Sequence, residues 1–538
     1  MTFMKVLLIN PPCGPRTIGL RNIARIEPLG LELLAAALPP DFEVRLVDME
    51  VAPRDLERAL GEFRPDIAGV TSEVVHVDTA KAALRRVRQA APDCLTLVGG
   101  HHPSLWPQDF LDPAIDIVVR GEGIEAFREV CLARAGGATD FSDIAGLMIR
   151  EQDRLRQTPG RSRPTDLDHQ PMPDRSLTAR YRKHYFYLWE PRVAAVRSSV
   201  GCSFPCTFCS CRVYSGGAFI PRSPELLVEE IARIEEPFVY LCDDHAFHDP
   251  ARMAELAERL LSAGIRKQYF TYARADSIAE NPELFKLWGR VGLSLVMTGL
   301  ESVDYERVRQ SGKRIAKGAD EAALAVLEEA GIGMSAGFFV EPHFTARDFA
   351  AIDAYVRQNR AIVLAEFTPL TPFPGTPLHR KVAGDVLSED RQLYDLQHFL
   401  MPTKTPPREL YRLMARAYAR VIARAVARAR LWRRALWRPH MLRLVGGLLV
   451  SGNKEPWPAV CERLNGLLLG WSTYFGYGTR MPAYRAVDNH VYDRVRAFLR
   501  KRHKVQGRGT HRFCDDVVFG ERGVLRLRRV HLGPPRAS

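Results

Sequence analysis

The sequence predicts an α/β protein in which a doubly wound parallel sheet is followed by a partial (βα)6 barrel and a basic helical region. Two separate series of short apolar segments alternate with helical patterns, which is typical of parallel sheets covered by helices. The alternation stops near residue 405, where arginine becomes frequent, and this predicts the basic region. A chain of 538 residues is long enough for about three domains.

The first series predicts a doubly wound, Rossmann-like domain. Its strand patterns cover residues 5–10, 43–48, 66–71, 95–100 and 115–119, with helical patterns at 29–38 and 79–90. Ligands of such sheets bind beyond the carboxyl ends of the strands. Those ends carry Thr71, Ser72, Gly99, Gly100, Gly121 and Glu122. Small residues let a flat or phosphate-bearing ligand approach the backbone, so the pattern alone fits a nucleotide or flavin site as well as any other.

The second series predicts an open, TIM-like barrel. Its strand patterns cover residues 193–199, 238–242, 268–272, 294–299, 334–340 and 363–367, with helical patterns at 224–234, 251–263 and 320–330. Six βα units fall short of the eight that close a full barrel. Sites on parallel barrels lie on the loops after the strands, and a cluster of cysteines follows the first strand.

Composition predicts the boundaries between these parts. A polar, proline-bearing stretch at 160–176 indicates a linker. The expected divisions are a sheet domain at 1–140, a linker at 141–185, a barrel at 186–400, a basic helical extension at 401–455 and a basic C-terminal domain at 456–538.

The positive charge is concentrated in the C-terminal region. Residues 401–538 contain 29 of the 76 Lys and Arg but 8 of the 63 Asp and Glu, a net charge of +21, whereas residues 1–400 carry −8. This asymmetry predicts an anionic partner, either nucleic acid or a lipid head-group surface, although a solvated basic face explains the charge equally well. No apolar run approaches the ~20 residues of a membrane span. We expect a cytoplasmic protein, with peripheral membrane association left open.

Three cysteines in one loop have a spacing that suits a single metal centre. They are Cys202, Cys206 and Cys209, and Cys211 lies just beyond them. Zinc is the alternative, but zinc sites usually pair two short loops and no second loop of this kind is found. Three thiolates on a [4Fe–4S] cluster leave one iron open for an outside ligand. The spacing therefore favours a reactive iron–sulfur centre, with Cys211 as a bystander.

The Cys202-x3-Cys206-x2-Cys209 motif resembles the signature of the radical S-adenosylmethionine superfamily, whose core is also a partial (βα)6 barrel. The resemblance implies that the open iron binds S-adenosylmethionine, which is cleaved to a 5′-deoxyadenosyl radical. Family-like stretches at the ends of the later strands imply further contacts with S-adenosylmethionine. These stretches contain Asp243, Asp244, Arg274, Gly299, Glu301 and Ser302. For each residue the alternative is a polar group satisfied within the barrel mouth.

The order of the two α/β parts resembles the cobalamin-binding class of this superfamily. The resemblance implies a cobalamin at Thr71, Ser72, Gly99, Gly100, Gly121 and Glu122. The Asp-x-His-x-x-Gly motif of other cobalamin enzymes is absent, because the first strand ends in Asn10-Pro-Pro-Cys13. The sequence therefore does not assign the lower ligand of cobalt, which is water or no ligand at all in one reading. We expect His101 and His102 to line the nucleotide loop or to face solvent rather than to bind cobalt.

Residues 1–410 resemble the hopanoid C-3 methylases, most diagnostically at 264–269 and 395–403. The resemblance implies a cobalamin-dependent radical methyltransferase that acts on an unactivated carbon of a hopanoid-like lipid or other small molecule. It also implies a reductant such as flavodoxin or ferredoxin. This chemistry requires no general acid–base pair, so no catalytic side chain is assigned.

About 60 residues of the tail resemble the maturase-specific domain of group II intron proteins. The resemblance rests on residues 464–475, 488–494 and 498–509. In that family the segment binds intron RNA, and interleaved aromatic side chains suit base stacking. Docking on an anionic membrane is the alternative, because fold similarity does not fix function. An RNA-modifying radical enzyme, or an RNA-binding protein with a vestigial barrel, is the alternative function.

Overall fold

The computed structural model describes residues 4–18, 24–188, 190–428 and, in the C-terminal region, 491–493, 495–500, 503, 512–522 and 524. The chain divides into two compact units, one of residues 1–343 and 350–403 and the other of residues 344–349 and 404–538. Both predicted α/β parts belong to the first unit.

The N-terminal part alternates strands with helices. Its elements are β1 (Met4–Asn10), β2 (Ala24–Arg25), α1 (Leu29–Ala36), β3 (Phe42–Asp48), α2 (Asp55–Phe63), β4 (Ile67–Thr71), α3 (Val77–Ala90), β5 (Leu95–Gly99), α4 (His101–Leu105), β6 (Ile117–Val119), α5 (Gly123–Ala135), β7 (Leu147–Glu151) and β8 (Arg154–Gln157). The order β3-β1-β4-β5-β6-β7-β8 makes one sheet, parallel as far as β6. The strand order reverses between β1 and β4, where such sheets bind ligands.

The apolar run of β1 is explained by burial on both faces of this sheet. Leu7 and Ile9 pack with the apolar faces of α2 and α3, whereas Val6 and Leu8 pack with those of α1 and α5. Side chains alternate between the two faces of a strand, so a strand covered on both sides must be apolar throughout.

The expected linker at 141–185 contains structure that the pattern did not indicate. Strands β7 and β8 form an antiparallel hairpin that extends the sheet beyond β6. The hairpin strand β8 has alternating polar residues, Arg154 to Gln157, and lies at an edge of the sheet. Edge strands need little apolar surface, and the polar sequence therefore resembled a linker.

The second part contains the barrel. Its elements are β9 (Phe186–Tyr187), β10 (Glu190–Pro191), β11 (Val193–Val196), β12 (Ser199–Val200), α6 (Ser210–Ser215), β13 (Ile220–Pro221), α7 (Pro224–Arg233), β14 (Phe238–Leu241), α8 (Pro250–Ser262), β15 (Gln268–Tyr272), α9 (Ala275–Glu280), α10 (Pro282–Val291), β16 (Leu293–Glu301), α11 (Tyr305–Gln310), α12 (Ala319–Ala330), β17 (Gly333–Val340), α13 (Ala346–Gln358), β18 (Ile362–Pro369) and α14 (Pro377–Val382). Strands β11-β14-β15-β16-β17-β18 form one parallel sheet. The predicted fold class, a doubly wound sheet and a six-stranded partial barrel, is confirmed.

The two faces of the barrel strands differ in exposure. Most residues that face the helices are buried, with Ser294 and Val363 as exposed exceptions near the starts of their strands, whereas several that face the lumen stay partly accessible. The accessible ones are Tyr240, Tyr272, Met297, Leu364, Glu366 and Thr368. The lumen is therefore partly accessible to solvent. Its floor is an apolar layer in which Tyr187 stacks on Phe270 with ring centroids 4.2 Å apart.

The second unit contains a basic helix, α15 (Pro407–Arg428). Its buried side chains recur every three or four residues, at Leu410, Met414, Ala417 and Val421, as expected for a helix with one packed face. The maturase-like residues 464–490, Arg494, 501–502 and 504–509 lie outside the described residues. None of the described helices has the length and apolar character needed to cross a membrane.

Candidate active site

The cysteine loop connects β12 to α6 at the carboxyl end of β11. Cys202, Cys206 and Cys209 are partly accessible. Burial raises the pKa of Cys202 to about 11, whereas a hydrogen bond from the Cys211 thiol lowers the pKa of Cys209 to about 7. The thiols thus lie at the carboxyl ends of the barrel strands, where sites of parallel barrels are found.

The spacing of the three sulfur atoms distinguishes a cluster from zinc. In the described part of the chain, one group of three His, Cys, Asp or Glu residues has all its ligand atoms within 4.8 Å of one another. This group is Cys13, Glu50 and His76, and the cysteine loop does not meet the criterion. At least two of the three sulfur atoms of the loop are therefore more than 4.8 Å apart. Zn–S bonds of about 2.3 Å place thiolates about 3.8 Å apart, whereas a cluster binds each thiolate to a different iron. The donors fit a [4Fe–4S] cluster better than zinc.

Two predicted carboxylates hold the backbone of this loop. The Asp243 carboxylate accepts hydrogen bonds from the Ser198 hydroxyl at 2.9 Å and from the Ser199 hydroxyl at 3.0 Å. Asp244 accepts one from the Gly201 N–H at 2.9 Å. A Cβ at Gly201 would lie 2.2 Å from the Ala218 carbonyl oxygen, so the loop requires glycine here. In this structure both carboxylates position the loop, and their predicted contact with S-adenosylmethionine stays a prediction.

A linked set of charges, which we call the charged mouth, surrounds Cys206: Arg274, Asp276, Glu301 and Lys313. Arg274 donates to Asp276 at 2.6 Å and to the Lys313 carbonyl oxygen at 2.9 Å. Its Nη1 lies 3.8 Å from the Cys206 sulfur. The Lys313 and Arg274 charges oppose the burial that raises the pKa of Cys206. The two cations of the charged mouth therefore favour a thiolate at this position, whereas burial and the Glu301 carboxylate oppose it.

Glu301 and Lys313 form a buried ion pair within the charged mouth. Lys313 Nζ lies 2.9 Å from Glu301 Oε1 and also donates to the Gly299 carbonyl oxygen. Glu301 has φ +65°, which is uncommon for a residue with a Cβ and often marks a functional site. The predicted Ser302 accepts from the Asp304 N–H at 3.1 Å and so supports the next turn. Sequence reasoning missed Lys313, because a lone lysine after Ser311-Gly312 carries no motif.

The carboxyl edge of the seven-stranded sheet is lined by small residues. Thr71, Gly99, Gly100 and Gly121, which we call the glycine edge, line a pocket of about 140 Å³ together with Glu122. Ser72 is fully buried beside this pocket. Gly100 has φ +118°, and a Cβ there would lie 2.9 Å from the Ser72 carbonyl oxygen. The edge is therefore shaped by missing side chains.

The pocket fits one end of a large cofactor. A Cβ at Gly69, on its floor, would lie 3.3 Å from Leu8 Cδ2 and 3.4 Å from Phe127 Cε2, so the floor is already as tight as glycine allows. The space above the glycines suits a flat group, and the apolar wall includes Leu31 and Val119. These features fit a nucleotide tail such as that of cobalamin.

Tyr214 connects the cysteine loop to this pocket. It lies in α6, five residues after Cys209, and lines the pocket of the glycine edge. Its hydroxyl donates to Glu122 Oε1 at 3.0 Å, and its ring stacks on His101 with centroids 5.3 Å apart. The neighbouring His102 is buried and its Nε2 lies 2.7 Å from Asp109 Oδ2. Both histidine side chains contact other side chains of the protein. This differs from the expectation that they face solvent.

A further group, missed by sequence reasoning, lies beyond β1, β3 and β4. Cys13 Sγ lies 3.4 Å from His76 Nε2, and His76 Nε2 lies 4.0 Å from Glu50 Oε1. His76 Nδ1 accepts a hydrogen bond from the Glu73 N–H at 3.3 Å, so the proton of the neutral ring is on Nε2. A metal at Nε2 would move the ring proton to Nδ1, and the hydrogen bond from the Glu73 N–H to Nδ1 would be lost. We therefore describe Cys13, Glu50 and His76 as a hydrogen-bonded cluster.

The glycine edge and the cysteine loop lie in two parts of the chain that match models of known protein families. Residues 21–131 match the model described as B12 binding domain, and residues 196–356 match that of the Radical SAM superfamily. The chain therefore combines the two domains of the cobalamin-binding class of radical S-adenosylmethionine proteins, in the order that the sequence predicts. The predicted cofactors of this class, cobalamin, a [4Fe–4S] cluster and S-adenosylmethionine, are thereby confirmed. Residues 439–514 match the model of the group II intron maturase-specific domain, which confirms the predicted resemblance of the tail.

Individual relatives and solved structures agree with this assignment. The hopanoid C-3 methylase of Methylococcus capsulatus is 29% identical over 469 residues, 84% of this chain and 85% of that protein. The radical S-adenosylmethionine methyltransferase TsrM of Kitasatospora setae, solved with tryptophan and an S-adenosylmethionine analogue, has a TM-score of 0.58 at 19% identity and covers 71% of this chain and 76% of its own. OxsB, solved with aqua-cobalamin and S-adenosylmethionine, has a TM-score of 0.62 at 14% identity and covers 93% and 84%. The two structures are similar to this chain in fold.

Proposed function

We propose that this protein, a cobalamin-dependent radical S-adenosylmethionine methyltransferase, methylates an unactivated carbon of a polycyclic, hopanoid-like lipid. The observation that carries the substrate class is the open barrel lumen with its apolar and aromatic floor. The similarity to the hopanoid C-3 methylase of Methylococcus capsulatus, along most of both chains, supports the same class.

The chain's own residues position and shield this chemistry. When bound, the cofactors supply a hydrogen-abstracting radical and a transferable methyl group. Cys202, Cys206 and Cys209 each contribute one thiolate, which leaves one iron without a protein ligand. Arg274 and Lys313 offset the negative charge of the thiolates, and the proposed contacts of Glu301 and Ser302 orient S-adenosylmethionine over the lumen.

The lumen lies directly next to the cysteine loop. Phe208, between Cys206 and Cys209, packs edge-to-face on Phe339 of β17 with ring centroids 4.7 Å apart. A substrate in the lumen would therefore have its reacting carbon near the loop while its apolar body displaces water. Burial of a rigid apolar body contributes about 25 cal/mol per Å², so an apolar lumen favours a polycyclic hydrocarbon over a polar substrate.

The test is methyl transfer by the reconstituted holoenzyme. The protein is reconstituted anaerobically with iron, sulfide and cobalamin and incubated with S-adenosylmethionine and a pentacyclic triterpene. Flavodoxin or ferredoxin serves as the proposed electron donor, and dithionite is the comparison. We expect a product 14 daltons heavier by mass spectrometry, and no such product with Cys202→Ala. Methylation of added RNA instead of the triterpene would contradict the proposal.

We propose RNA binding as a second function, located in the C-terminal region. The match to the maturase-specific domain and the net charge of +21 at 401–538 support it. An anionic membrane surface is the alternative partner, but the apolar stripe of α15 is buried and is not available for insertion. Sub-micromolar RNA binding that weakens steeply with salt is expected. Co-sedimentation with anionic vesicles in the absence of RNA binding would support the membrane instead.

A further inference from the structure

A single carboxyl group faces the barrel lumen from β18. Glu366 is largely buried, and Ser335 Oγ donates a hydrogen bond to its Oε1 at 2.7 Å. Within the described residues, Glu366 has no further hydrogen bond and no ion pair. A buried carboxyl group without a cation costs free energy unless it is hydrogen-bonded or protonated. The second carboxyl oxygen is thus available to a ligand.

The groups around Glu366 are uncharged. Burial raises the pKa values of the Tyr187 and Tyr272 hydroxyls, that of Tyr272 to about 12. The nearby Glu366 charge raises both further. The Tyr240 and Tyr272 rings contact each other with centroids 6.1 Å apart. Burial also raises the pKa of Glu366 itself. In the described part of the chain, Glu366 therefore lies among uncharged, largely aromatic side chains.

The register of the strands places Glu366 below the charged mouth. Glu366 pairs with Gly337, and Gly337 pairs with Gly299. A β-bulge after Gly299 places Glu301 opposite Phe338, one residue beyond Gly337, so Glu301 lies about 3.4 Å nearer the carboxyl end of the sheet than Glu366. Gly337 has no side chain, and a Cβ there would lie 3.0 Å from Met297 Cε. The carboxyl group thus lies deeper than the cysteine loop, beside a position that carries no side chain.

We propose that Glu366, held by Ser335, is the specificity-determining residue that binds a hydroxyl group of the substrate in the lumen. The inference rests on the proposed function, since it assigns the polar group of a lipid whose apolar rings fill the rest of the cavity. A carboxyl group and an alcohol can each donate and accept, so the pair satisfies both partners. An apolar lumen without Glu366 would not distinguish an alcohol from the hydrocarbon of the same shape.

The experiment measures the binding of two probes to the reconstituted holoenzyme: a pentacyclic triterpene hydrocarbon and its monohydroxylated derivative, both in detergent. We expect the unsubstituted protein to bind the alcohol about tenfold more tightly, which corresponds to one net hydrogen bond. Glu366→Leu should abolish this preference while leaving hydrocarbon binding unchanged. Glu366→Gln, which keeps donor and acceptor atoms, should retain most of it. Glu328→Gln, on the exposed face of α12, is the matched control.

The outcomes separate the two proposals. Equal binding of both probes by the unsubstituted protein, or an unchanged preference in folded Glu366→Leu, would overturn the role of Glu366 and leave the methyltransferase proposal standing. A Glu366→Gln variant as defective as Glu366→Leu would show that charge is recognised, which would overturn binding of a hydroxyl. Failure of the unsubstituted protein to bind either probe would overturn both proposals. Circular dichroism of each variant shows that it is folded.

Discussion

At the glycine edge the chain surrounds a pocket with residues that lack side-chain bulk, whereas at the charged mouth it places thiols and interlocked ionic side chains. Both lie at the carboxyl ends of parallel strands. The glycine edge has room for a ligand because its residues have small side chains or none. The charged mouth depends on the side chains of Arg274, Glu301 and Lys313. The glycine edge should therefore be damaged by adding atoms, and the charged mouth by removing them.

The largest effect is expected at the cysteine loop. Cys202→Ala, Cys206→Ala or Cys209→Ala removes one ligand of the cluster, so each should lose cluster iron and all cleavage of S-adenosylmethionine. Iron analysis, the visible absorption of the cluster and 5′-deoxyadenosine formation measure this. Cys211→Ala, two residues beyond the motif, is the matched control and should retain its iron. Full activity in a triple variant of the motif would refute the assignment.

Removal of a charge from the mouth should destabilise the fold. Lys313→Met leaves the Glu301 carboxylate buried without its partner, which costs about 3–5 kcal/mol of unfolding free energy. Lys286→Met removes the same charge from the surface, where the partners Glu283 and Glu329 are exposed, and should cost at most about 1 kcal/mol. Urea denaturation of the two variants compares them. Equal losses would mean that the charged mouth is not a buried network.

Addition of atoms to the glycine edge should weaken cobalamin binding. A Cβ at Gly99 would lie 3.6 Å from Val119 Cβ, an ordinary contact, so Gly99→Val should fold but fill the proposed pocket. We expect at least about tenfold weaker binding, equal to about 1.4 kcal/mol, from absorption titrations with cobalamin. Gly61→Ala, on the open surface of α2, should bind normally. Normal binding by Gly99→Val would place cobalamin elsewhere.

A pH-dependent effect is expected where the two sheets meet, at a buried carboxyl group that faces neither edge. Burial and the neighbouring Glu27 raise the pKa of Glu32 to about 8. The folded state therefore keeps a proton that the unfolded state loses above pH 4.5, and stability falls by up to about 1.4 kcal/mol per pH unit between pH 4.5 and 8. Glu32→Gln should flatten the decrease in melting temperature over this range. An identical pH profile in the variant would contradict the raised pKa.

The fold could be predicted from local patterns more completely than the site. Strand β15 has the predicted bounds, because its apolar residues are bracketed by polar ones. The predicted strand at 193–199 ends early, at Val196, since Ser198 and Ser199 bind Asp243 instead of continuing the ladder. The cysteine motif was visible because its ligands are close in sequence.

The residues that were missed depend on contacts between distant segments. Lys313 gains its role only when α11 brings it to Glu301, and Cys13, Glu50 and His76 follow three different strands. Glu366 occupies a position in a strand whose other residues are mostly apolar, and nothing in the sequence shows that it lacks a cation. These features depend on the tertiary fold, which local periodicity does not encode.

Tyr214 connects the glycine pocket to the cysteine loop. Its helix begins directly after Cys209, a proposed cluster ligand, and its ring and hydroxyl close the side of the glycine pocket against His101 and Glu122. One short helix therefore contacts both the cysteine loop and the glycine pocket. A substitution that displaces this helix should change the pocket as well as the loop, whereas a substitution on the far side of either site should change one of them.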